Sequence, residues 1–239
     1  MLLRIVNVLV LCVLISEARI TNERYARWQE FEEFVEWKRT KRDQQISGVK
    51  FSPRWFSINS NDDDPNPPPP AAAAAMARYV VNQAEWAAIA TISTRKDIAT
   101  FPTATLISIS DGPLGSGTGI PYMYLTPLDF TAQDLAKDHR ATLLMSLAQG
   151  SYCKSKDMDP MDPRCARIML TGKVTPVKSG TDEHETAKQL FFNRHPKLSN
   201  MPADHKFFFA KLKISTIALL DAFGGPKYIS VEDYFNVTS

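Results

Sequence analysis

At 239 residues, with 28 basic against 26 acidic side chains and a net charge of +2, the chain has room for one domain of ordinary size plus an extension. Basic and acidic residues are mixed along it, and no basic stripe is interleaved with aromatics. Nucleic-acid binding therefore has no electrostatic support.

Arg4 precedes an almost unbroken apolar run, Ile5 to Ile15, and Ser16-Glu17-Ala18 follows. A short positive region, an apolar core too short to cross a bilayer and a small-x-small exit describe a secretory signal peptide, 1–18, cleaved after Ala18. The alternative is an uncleaved anchor. No later stretch is long and apolar enough to span a membrane. The expected location is therefore extracellular or endolysosomal, without a membrane span. Of three cysteines, Cys12 leaves with this segment. Cys153 and Cys165 remain, and a pair of thiols in an oxidising compartment is expected to form a disulfide. A zinc site would need two further clustered ligands, and none stands at the usual spacing.

From Arg19 to about Ala75 the composition cannot build a core. Tyr25, Trp28, Phe31, Phe34 and Val35 recur at helical spacing and suggest one amphipathic helix. The run Asn61-Asp-Asp-Asp-Pro-Asn-Pro-Pro-Pro-Pro and the five alanines after it read as a linker. Between them, Arg39-Thr-Lys-Arg42 has the cation spacing that secretory proprotein convertases select, in a segment expected to be exposed. Its alternative reading is the solvated cationic end of a helix. Residues 19–75 are thus expected to be a disordered extension, with 19–42 a candidate propeptide.

The globular domain is expected over 76–239. Arg78 to Glu85 has helical character. Trp86-Ala-Ala-Ile-Ala-Thr-Ile, Thr103-Ala-Thr-Leu-Ile-Ser-Ile-Ser and Pro121-Tyr-Met-Tyr-Leu are strand-like runs with turn-rich connections, an antiparallel meander. Thr131 is placed as the cap of a short helix reaching His139. Ala141 to Ala148 and Cys165 to Val177 read as strands, and Thr181 to His195 as a helix ended by Pro196. Phe207 to Phe223 supplies a last long strand or a strand pair, followed by Gly224-Gly-Pro226 and a tail over Ser230–Val237. The expected fold is mainly β, a six-stranded antiparallel barrel with peripheral helices.

Catalytic constellations are missing. Gly115-Ser-Gly-Thr-Gly119 lacks the Lys-Ser/Thr and helix of a phosphate loop and reads as a flexible hairpin connection. His184-Glu-Thr-Ala-Lys188 puts a lysine where a zinc protease needs its second histidine. His139, His195 and His205 are not spaced to chelate and read as caps or surface groups. No serine sits in a Gly-x-Ser-x-Gly elbow. Asp157/Asp159 and Glu183/Glu185 read as solvated. Phe191-Phe192 and Phe207-Phe-Phe209 read as core. Asn236-Val-Thr238 is an N-glycosylation acceptor.

Several stretches together carry a resemblance. They are Trp86-Ala-Ala-Ile-Ala-Thr-Ile-Ser-Thr, Ser110-Asp-Gly-Pro, Gly119-Ile-Pro-Tyr-Met-Tyr-Leu-Thr-Pro-Leu, Ala141-Thr-Leu-Leu-Met-Ser-Leu-Ala-Gln, Ile168-Met-Leu-Thr-Gly, Arg194-His-Pro and Phe223-Gly-Gly-Pro-Lys. In these the domain resembles the CREG family of secreted glycoproteins across essentially all of 76–239. The resemblance implies a split barrel of the FMN-binding, pyridoxamine-phosphate-oxidase-like type, assembled as a homodimer. It also implies action through cell-surface or endolysosomal receptors of the mannose-phosphate-receptor type, in growth restraint and differentiation. In the wider superfamily, Arg or Ser on the second strand grips the FMN phosphate. The matching positions here are Thr103 and Thr105, with Thr126 after the third strand as a third candidate. Threonine hydroxyls form neutral hydrogen bonds of about 1 kcal/mol each, against the desolvation of a phosphate dianion. The leading expectation is a non-catalytic glycoprotein with no cofactor. An FMN-dependent oxidoreductase of the secretory pathway, helped by Arg78 or Arg140, is the alternative. A single sequon, fewer than the family carries, would weaken recognition through phosphorylated mannose.

Overall fold

The computed structural model describes residues 67–69 and 72–237. The signal peptide, the helix suggested around Tyr25–Val35, the Arg39–Arg42 site and most of the Asn61–Pro70 linker lie outside the described residues, as does Thr238 of the sequon.

Helix α1 (Ala73–Gln83) starts inside the alanine run, three residues before Met76, because alanine costs least in a helix. Met76, Ala77, Val80 and Val81 fall at i, i+1, i+4 and i+5 and are buried. Strands β1 (Trp86–Ile92), β2 (Pro102–Ser110) and β3 (Tyr122–Leu125) follow, then helix α2 (Phe130–Leu135) and strand β4 (Arg140–Ser146). Helix α3 (Tyr152–Ser155), strand β5 (Arg167–Pro176), helix α4 (Asp182–Arg194), strands β6 (Phe208–Leu220) and β7 (Lys227–Ile229) and helix α5 (Val231–Phe235) complete the described order.

The strand order is β3-β2-β1-β4-β5-β6-β7, and β3 also pairs with β6, so β1 to β6 close into an antiparallel barrel. Closure leaves no edge among those six strands. The thirteen residues of β6 pair with β5 along one side and with two strands on the other, Phe208–Lys211 with β3 and Ile217–Leu219 with β7. Period-two alternation sends Ala87, Ile89, Ile107, Ile109, Leu143, Met145, Ile168 and Leu170 inward, where all are buried. The β5–β6 register shifts between Thr171 and Gly172. A Cβ on Gly172 would stand 2.0 Å from the Lys213 carbonyl oxygen, so this bulge admits only glycine.

Helix α2 differs from expectation at both ends. Asp129, not Thr131, occupies the cap position of α2, and the Thr131 hydroxyl is buried without a hydrogen-bond partner among the described residues. The helix stops at Leu135, short of His139. Helix α4 keeps its expected cap, with Thr181 Oγ1 accepting from His184 N at 3.3 Å. It lies over β3 and β6 through an aromatic cluster, in which the Tyr124 ring is 4.7 Å from Phe209 and 5.3 Å from Phe192. Glu183 is not simply solvated, since it takes Lys211 as an ion-pair partner and accepts from the Tyr122 hydroxyl.

Cys153 and Cys165 are joined, with Cα atoms 5.4 Å apart and both residues buried. Closing this loop contributes about 3 kcal/mol in the chain-entropy model. Cys153→Ser/Cys165→Ser should therefore lower the melting temperature by about 6–12 °C. An unchanged melting curve would show that the loop between them is held by other contacts.

Candidate functional site

The threonine candidates separate once the strands are in register. Thr103 stands opposite Thr91 on β1, and Thr105 opposite Ile89, so both share a face with inward residues. The Thr103 and Thr91 hydroxyls are 3.1 Å apart. Both also donate to Asp134 Oδ2, at 3.3 and 3.2 Å. Asp134 Oδ1 accepts from Thr94 N at 2.7 Å and from the Thr94 hydroxyl at 2.9 Å. One buried carboxylate, carried by α2, thus collects four donors from β1, β2 and the turn after β1. Thr126 is elsewhere engaged: its hydroxyl donates to the His205 carbonyl at 2.6 Å. Among the described residues no hydrogen bond joins it to Thr103 or Thr105.

This arrangement does not fit an FMN phosphate at Thr103. The hydroxyl protons already point at an anion, and a dianion placed there would face the Asp134 carboxylate in a medium that screens poorly. Arg140 does not offer a free guanidinium either, because Asp138 holds it at 2.5 Å.

A second buried polar group lies under the glycine-rich connection. Asp111 follows β2 directly and is buried; its Oδ1 accepts from Asn82 Nδ2 at 2.9 Å and its Oδ2 from Gly119 N at 3.1 Å. Burial pushes its carboxyl above the usual range, opposed by those two bonds and by Arg78 and Arg194. Arg78 donates to the carbonyls of Gly117 and Tyr234, and the Tyr234 hydroxyl donates to the Gly119 carbonyl at 2.9 Å. Arg194 donates to the carbonyls of Asn82, Gly112 and Ala84, while His195 Nε2 donates to the Ile109 carbonyl at 2.8 Å. The connection expected to be flexible is therefore tied to α1, α4 and α5. Asp111-Gly112 was the available signal for a turn here. For the first group the signal was Asp134, one turn after Thr131 and beside Leu135 on the buried side of α2.

Outside the barrel, register sorts the side chains into rows. Leu106, Ala88, Leu144 and Met169 are successive cross-strand neighbours on β2, β1, β4 and β5. Three of them, Leu106, Leu144 and Met169, are large, apolar and exposed, at 63%, 40% and 46%. The next row is Ala104, Ala90, Thr142, Thr171 and Thr216.

Residues 68–236 match the family model described as CREG, beta-barrel. The chain belongs to the CREG family. It is 50% identical to Protein CREG1 of Mus musculus over 163 residues, which covers 68% of this chain and 73% of that one. To Protein CREG1 of Homo sapiens it is 46% identical over the same shares. To Protein CREG2 of Mus musculus it is 39% identical, covering 66% of this chain and 54% of that one. Among solved structures, a heme binding protein from Mycobacterium smegmatis is similar in fold, with a TM-score of 0.53 at 17% identity, covering 70% of this chain and 61% of the other. The fold is accordingly the CREG type of split barrel. Among the described residues, no helix is long and apolar enough to cross a membrane.

Proposed function

We propose that this CREG-family chain is a secreted, non-catalytic glycoprotein that works as a binding scaffold. It acts as a homodimer on cell-surface or endolysosomal receptors, in growth restraint and differentiation. The observation that carries the non-catalytic reading is Asp134, whose carboxylate takes the hydroxyl donors that an FMN phosphate would need at Thr103. The dimer reading rests on the row Leu106–Leu144–Met169, an exposed apolar strip on a sheet face that lacks the helix covering β3 and β6. Glycosylation at Asn236 belongs to the same reading, since Asn236 is exposed just beyond α5.

The test is the visible spectrum of secreted, affinity-purified protein, before and after incubation with FMN and repurification. A colourless product is expected. A retained flavin band would overturn the non-catalytic reading and favour the oxidoreductase. In the same preparation, Leu144→Lys should shift the chain from dimer to monomer in light scattering, while an unchanged mass would remove this strip from the dimer interface.

A further inference from the structure

The row beyond the threonines is cationic. Arg140 on β4 stands directly opposite Lys173 on β5, and Lys173 directly opposite Lys213 on β6. All three are exposed. Arg140 is held by Asp138; neither lysine forms an ion pair among the described residues. Neighbouring strands lie about 4.8 Å apart, so the three charges form a short rail across the sheet. Like charges directly opposite one another destabilise a sheet. The β6 bulge beside Gly172 keeps Lys213 in this row, since it inserts one extra residue between Lys213 and Thr216.

We propose that this rail, with Lys173 and Lys213 as its free cations and the Asp138-paired Arg140 at its end, binds a linear sulfated polysaccharide. An open cationic line on a sheet face, bordered by the hydroxyls of Thr142, Thr171 and Thr216, complements an extended polyanion rather than a small enclosed one. Tyr122, which stands opposite Lys211 in the adjacent row, is buried, so the row lacks the open stacking platform that single-stranded nucleic acid uses. Three cations fall short of the four to eight that mark an anionic-lipid site, and the threonine row separates them from the exposed apolar strip.

The test is affinity of the full secreted chain for a heparin oligosaccharide, by calorimetry and by salt elution from immobilised heparin. Lys173→Gln/Lys213→Gln should bind about twenty-five-fold more weakly, each surface cation contributing about a factor of five. Its melting temperature should hold or rise, because an opposed pair of like charges is gone. The control Lys154→Gln/Lys178→Gln, with the same net charge, should bind as the unaltered chain does. Equal losses in both variants would reduce the effect to net charge and overturn the rail. So would failure of the unaltered chain to bind, or stronger binding to phosphatidylserine vesicles or single-stranded DNA in the same buffer.

Discussion

Asp134→Ala should lower the melting temperature by about 6–12 °C, corresponding to about 3 kcal/mol. The substitution strands the Thr94 amide and the hydroxyls of Thr91 and Thr103 around a small void, with Thr91 itself buried. Unsatisfied buried donors cost more than the bonds contributed. Asp134→Asn keeps the volume and two acceptor lone pairs, and the threonine hydroxyls can rotate, so it should cost about half as much. It also removes the charge. If that charge bars a phosphate from Thr103, Asp134→Asn should bind FMN more tightly than the unaltered chain in equilibrium dialysis. Equal affinities would mean that the barrier lies elsewhere.

Gly117→Ala is expected to be comparably damaging. Its Cβ would stand 2.1 Å from Asp111 Oδ2 and 2.5 Å from Asn82 Nδ2, two side chains bonded to each other. Relieving the overlap breaks that bond or moves the connection, at about 3 kcal/mol. Gly115→Ala is the internal comparison. Nothing lies within 4 Å of its Cβ, but φ is +76°, so only the left-handed backbone opposes it, at about 1 kcal/mol. Urea unfolding of the two variants separates the causes. Equal losses would show that backbone conformation, not the approach to Asp111, makes the connection glycine-rich.

The strands were legible in the sequence because a barrel wall imposes period two, and Trp86–Ile92 or Ala141–Ser146 can alternate in no other register without exposing Ile89 or Leu143. Helix α4 was legible through Thr181 and Pro196. The polar groups were not. Nothing adjacent in sequence names the partners of Asp134 and Asp111, since folding brings donors from residues 31 to 43 positions away to the first, and Asn82, 29 positions away, to the second. Periodicity reports which side chains turn inward, not what they meet there. The cation rail has the same character: Arg140, Lys173 and Lys213 are ordinary surface residues until register sets them side by side.

Asn236 shares a surface hollow with Ala72, Ala73, Ala74 and Ala75, which open α1. The start of α1 and the asparagine of the sequon are thus next to each other. A glycan on Asn236 would stand over the alanine run as an awning. A sugar attached there would therefore crowd any enzyme acting close to Ala72.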